Sequence, residues 1–137
     1  MQYYFSKTIQ SSGLEEAVEK TKNALQDEGF GVVAEIDFQK TLKEKLGVNF
    51  KPYVVIEACN PPYALKSLNA DIHIGALIPC NLIIREAENG FEISSIDPSV
   101  AMKDIDNAEM KEIAMEIRQK LKRVINHIDK EKSKAIA

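Results

Sequence analysis

The chain of 137 residues has no tryptophan, only two cysteines and only two histidines. Two cysteines cannot build a disulfide framework of the secreted kind. Two cysteines and two histidines, with no C-x-x-C or H-x-x-x-H spacing, make a poor zinc set, so no metal is expected. Positive charge is not in excess: 18 Lys and Arg stand against 21 Asp and Glu, a net charge of -3. That balance argues against a nucleic-acid footprint, which needs clustered basic surface. No apolar run approaches the roughly 20 residues of a membrane span. Met1 to Phe5 leads directly into a strand pattern, with no basic segment followed by an apolar one. The expected setting is the cytoplasm, with both thiols reduced. Phosphate-loop and G-x-G-x-x-G glycine patterns are missing, and Ser94, Ser95 and Ser99 lack a G-x-S-x-G context. No cofactor is expected from any motif.

The 45% hydrophobic and 28% charged composition is that of one globular domain. Tyr3 to Thr8 reads as a strand. Ser12 and Glu15 form a capping box for a helix carrying Leu14, Ala17, Val18, Thr21, Ala24 and Leu25, stopped by Gly29. Phe30 to Asp37 alternates as a strand, with Val32, Ala34 and Ile36 on one face and Val33, Glu35 and Asp37 on the other. Asp37 caps a short helix bearing Phe38, Leu42 and Leu46, closed by Gly47. Lys51 to Cys59 is a strong strand, with Val54, Ile56 and Ala58 on its apolar face. Asn60-Pro61-Pro62 starts a short helix over Tyr63 to Leu68, with Asn60 as its cap. Leu82 to Arg85 and Phe91 to Asp97 form a hairpin about Asn89-Gly90, entered at an edge or bulge near Pro79. Asp97-Pro98 reads as strand end and turn. A long helix runs from about Asn107 to Ile128, with Asp106 as its cap and an apolar stripe from Met110 to Ile128. The periodicity of 69–78 is neither 2 nor 3.6, and that stretch stays unassigned.

The order predicts an α+β domain: a two-layer fold with a mostly antiparallel sheet packed on two amphipathic helices, β-α-β-β-β-β-α with short helical inserts. Residues 1–128 form the single domain and 129–137 a charged C-terminal tail.

Several blocks together resemble the domain of unknown function 302 family. They are Glu35 to Gly47, Pro52-Tyr53, the Ala58-Cys59-Asn60-Pro61 turn and Gly75 to Asn81, in order and at matching spacings. The resemblance implies a sheet similar to one half of a TATA-binding-protein-like fold, often paired as a homodimer. It implies no activity and, with this charge balance, no DNA binding.

Chemistry concentrates at strand ends. Cys59 closes one strand beside the helix start at Asn60, where a helix dipole favours a thiolate. Cys80 opens the next strand, so antiparallel neighbours would bring both sulfurs to one end of the sheet. The structural alternative is two small buried hydrophobes. A two-thiolate Cu(I) site is chemically possible but has no support from spacing. His73 and His127 read as solvated. Glu35 and Glu57 fall on the mixed faces of adjacent strands, with Asp37 near; a shared face would make them either solvated or a carboxylate pair. Lys40 and Lys43, with Lys45 and Lys51, could hold an anion, although Glu44 makes this a mixed-charge surface.

Three functions fit. The leading one is a small non-catalytic binding domain, dimeric, with a small-molecule site at Cys59, Asn60, Cys80, Glu35, Glu57, Lys40 and Lys43. The second is a thiol-based redox or sulfur-handling protein using Cys59 and Cys80. The third is an interaction module using the mixed sheet face.

Overall fold

The computed structural model describes residues 2–129. Five strands, β1 (Tyr4–Ile9), β2 (Gly31–Asp37), β3 (Tyr53–Cys59), β4 (Cys80–Ala87) and β5 (Gly90–Ile96), form one sheet in the order β1-β5-β4-β3-β2. Every neighbouring pair is antiparallel. Helices α1 (Leu14–Asp27) and α5 (Ala108–His127) cover one face. Three shorter helices, α2 (Phe38–Leu46), α3 (Pro61–Ala70) and α4 (Pro98–Ala101), and a 3-10 turn at Ile72–Ala76 fill the connections. This is the expected two-layer α+β fold, with the sheet antiparallel throughout.

The core lies between sheet and helices. Ile56, Leu82, Ile84 and Ile93 point into it from adjacent strands, opposite Leu25 of α1 and Leu121 of α5, all with no exposed surface. Each such side chain contributes about 1.5–3 kcal/mol by leaving water. Arg118 of α5 ties the far edge by donating to Asp97 at 3.2 Å and lying 5.2 Å from the Phe5 ring centroid. Lys7 of β1 bonds the Asn126 carbonyl and the Asp129 carboxylate, at 3.2 and 2.9 Å, securing the end of α5. Asp129, assigned from sequence to the tail, is thus docked on β1; residues 130–137 lie outside the described residues.

Local signals were met in some places and displaced in others. Asp37 caps α2 through Lys40 N–H at 2.9 Å, and Gly47 closes it with φ 68°. Gly29, at φ 88°, ends α1 as expected. The first capping box moves by one residue: Gly13 is the cap, and the Ser12 N–H donates to Glu16 rather than bonding with Glu15. That hydrogen bond, first among the causes, holds the Glu16 carboxyl below its ordinary range. Asn107, not Asp106, caps α5, accepting from Met110 N–H at 2.9 Å while its amide donates to the Ala70 carbonyl. One side chain therefore fixes both the start of α5 and the end of α3. The turn between β4 and β5 is Glu88-Asn89, and Gly90 is already strand. Asp97 opens α4, accepting from the backbone N–H and hydroxyl of Ser99.

The largest departure is in β2. A bulge at Val33 shifts the register, so Val32 faces Ala58 but Ala34 faces Glu57 and Glu35 faces Ile56. An extra residue inverts the faces beyond it. Glu35 therefore turns to the helical side, where it pairs with Lys22 of α1. Its carboxylate raises the Lys22 pKa by hydrogen bonding. Glu57 stays on the opposite face with Val55 and Tyr53. The shared acidic face expected from strict alternation does not form.

Candidate functional site

The end of the sheet where β3 stops and β4 begins is hollow. A cavity of about 320 Å³ opens there between the strand ends, α3 and the 3-10 turn. Cys59, Asn60 and Cys80 all line it, so three of the seven residues singled out from sequence meet in one place. The reason is register: Ala58 pairs with Cys80, which puts Cys59 one position along from the facing cysteine. By strand alternation the two belong to opposite faces, and the cavity reaches both because the sheet ends here.

Helix α3 supplies one wall through Tyr63, Ala64, Ser67 and Leu68. Phe30, Ala58 and Ile117 form the floor, with 4%, 1% and 5% exposure. Sequence reasoning missed all of these. The spacing of Tyr63, Ala64, Ser67 and Leu68 was the available signal, since i, i+1, i+4 and i+5 share a helix face.

Asn60 occupies the cap position of α3 without capping it. Its amide instead donates to the Glu28 carbonyl at 3.2 Å, clasping the α1–β2 turn to the β3–α3 junction. The turn is close enough that a Cβ on Gly29 would meet the amide nitrogen at 3.3 Å. Ser67 donates back to the Tyr63 carbonyl at 2.7 Å, and the Tyr63 hydroxyl donates to Glu116 at 2.9 Å. That bond to a carboxylate raises the Tyr63 pKa.

Cys59 is half-buried and Cys80 is 7% exposed; neither is in a disulfide. Burial, with Cys59 as a secondary cause, pushes the Cys80 thiol from about 9 to about 11. Because the thiolate is disfavoured only in the folded state, stability is unaffected below about pH 9, where folded and unfolded chains both hold the proton. It falls as pH rises from about 9 to about 11, by roughly 2–3 kcal/mol at the end of that window. Urea denaturation of wild type and Cys80→Ala across this range checks the point: the variant's alkaline decline is expected to be shallower by that amount. Equal declines would show that Cys80 titrates normally.

The other candidates lie elsewhere. Glu35 lines a groove between α1 and β2 with Glu15, Glu19 and Lys22. Glu57 faces Ala34 and Asn81 on the open sheet face. Lys40 and Lys43 sit by α2 in a shallow hollow, where Lys43 donates to Asn49 at 2.9 Å. Among the described residues, no group of three or more His, Cys, Asp or Glu is placed to hold a metal ion. No helix among them is long and apolar enough to cross a membrane.

A larger groove of about 670 Å³ crosses the open sheet face between the Tyr3-Tyr4 pair and Phe38, Phe50 and Tyr53. Only Ser94 of its twelve lining residues is buried, against six of fourteen at the sheet end. A buried floor is what removes a small ligand from water, so the smaller cavity is the better small-molecule site.

Comparison with known proteins agrees with this architecture. No curated protein matches the chain. A crystal structure of an uncharacterized conserved DUF302 protein from Bacillus stearothermophilus is similar, with a TM-score of 0.86 and 27% identity, over 93% of this chain and 99% of that one. Residues 5–128 match the family described as Domain of unknown function DUF302. The chain belongs to the DUF302 family.

Proposed function

We propose that this chain is a small non-catalytic binding domain that holds a small molecule in the cavity at the Cys59–Asn60–Cys80 end of the sheet. The observation that carries this reading is the lining: a cavity of about 320 Å³ with a buried apolar floor beside a half-exposed mouth. Apolar concave sites with a few fixed polar groups are the common form of ligand pockets. A reducing, cytoplasmic setting goes with it, in which both thiols stay reduced.

Toluene is a suitable first probe. Ligand that binds only the folded state raises stability by RT ln(1 + [L]/Kd). Millimolar toluene is expected to raise the melting temperature of wild type, and Ala64→Phe, which fills the cavity mouth from α3, is expected to lose that rise while melting near wild type without probe. An equal rise in both proteins would refute the site.

The redox alternative, with Cys59 attacking and Cys80 as partner, is disfavoured by the burial of Cys80, which holds it as the thiol when resolving a disulfide on Cys59 needs its thiolate. The interaction reading has a specific observation behind it. Seven large exposed hydrophobics, Tyr3, Tyr4, Ile36, Phe38, Leu46, Val48 and Phe50, belong to the open sheet face and the α2 segment beside it. An uncovered patch of this kind marks a contact surface, and homodimerisation through it would bury Tyr4 and Phe50. Sedimentation of the Tyr4→Glu, Phe50→Glu double variant tests this: a shift from dimer to monomer supports it, and a wild type that is monomeric at high concentration removes it.

A further inference from the structure

The sheet-end cavity has little to offer an anion. The amide and hydroxyl side chains that line it each donate inside the protein: Asn60 to the Glu28 carbonyl, Ser67 to the Tyr63 carbonyl, Tyr63 to Glu116. Among the described residues, no lysine or arginine lines it. A helix N-terminus usually presents free N–H groups to negative charge, but α3 opens on Pro61-Pro62, which carry none. What is left facing the space is apolar surface, the rings of Phe30 and Tyr63, and the two sulfurs. Cys80 is more than nine-tenths buried there.

Size and surface then define the occupant. An apolar cavity of about 150 Å³ accommodates benzene, and this one is about twice as large. Sulfur and ring edges favour aromatic over aliphatic contacts. We infer that the cavity selects an uncharged, aromatic molecule of about two fused rings and rejects carboxylates of the same size. This rests on the cavity being the binding site and specifies its ligand class.

Three probes on the same two-ring frame separate the terms: naphthalene, 2-naphthoate and decalin. Their affinities are measured by ligand-observed NMR against wild type and Ala64→Phe. Naphthalene is expected to bind wild type about 10-fold or more tighter than 2-naphthoate, whose carboxylate meets no donor. It is expected to exceed decalin by about 3–10-fold, with naphthalene binding lost in Ala64→Phe. Naphthoate binding as well as naphthalene, or decalin as well as either, would overturn the ligand class while leaving the cavity as the site. Binding of none, or binding unchanged in Ala64→Phe, would overturn both.

Discussion

Gly90→Ala is expected to lose about 3–5 kcal/mol of folding stability, more than any other glycine substitution in the chain. Gly90 has φ 139°, a conformation that L side chains rarely adopt, and a Cβ placed there would lie 2.3 Å from the Ile9 carbonyl oxygen. Strain at such a position costs about 1–3 kcal/mol. The steric conflict adds about 1–3 kcal/mol, because the atom met is backbone and cannot rotate away. Relief requires moving β1 from β5, where Ile9 pairs with Phe91. Gly31→Ala is the matched control: its backbone is outside the left-handed region and no atom lies within 4 Å of the new methyl, so a change within about 0.5 kcal/mol is expected. Urea denaturation of both variants decides. Equal small changes would mean that the hairpin relaxes freely.

The second large effect is at Asp97. Its carboxylate is 6% exposed and satisfies three donors: the Ser99 N–H and hydroxyl on one oxygen and Arg118 on the other. Removing one partner of a buried pair costs about 3–5 kcal/mol, because the other charge is left without compensation. Arg118 is 25% exposed and keeps some water, so the lower end of that range applies. Asp97→Ala is therefore expected to destabilise by about 3 kcal/mol. Asp97→Asn, which keeps an acceptor for the α4 cap and gives up the charge, is expected to cost roughly half. Equal losses in the two variants would show that the ion pair, not the cap, holds this corner, and an Asn variant as stable as wild type would show the reverse.

Both predictions concern features that pattern reading approached and missed by one residue. Asn89-Gly90 was legible as a turn, yet Gly90 is needed because β1 passes close to it, a contact between residues about eighty apart. Asp97-Pro98 was legible as a break, whereas the ion pair to Arg118 depends on how α5 crosses the sheet. Local signals were reliable where the chain resolves its own hydrogen bonds, as with Asp37 capping α2 and Gly47 closing it. They slipped where a long-range partner competes. Asn60 has the sequence context of a cap and spends its amide on Glu28 instead.

The site was legible to about the same extent. Cys59, Asn60 and Cys80 converge because strand ends and antiparallel pairing can be read from pattern and connection. Glu35 was assigned to the wrong face because one inserted residue at Val33 reverses everything after it; the consecutive Val32 and Val33 were the only local hint. The 69–78 stretch became a 3-10 turn beside the cavity, with Ile74 buried and Gly75 at the rim. Its short turn has too few residues for a period to register.

Backbone amide NMR with toluene locates the small-molecule site on the protein residue by residue. Shift changes are expected at Phe30, Cys59, Ala64, Ser67 and Cys80, saturating together. Changes confined to Tyr4, Phe38, Phe50 and Tyr53 would move the site to the open sheet face and contradict its placement at the sheet end.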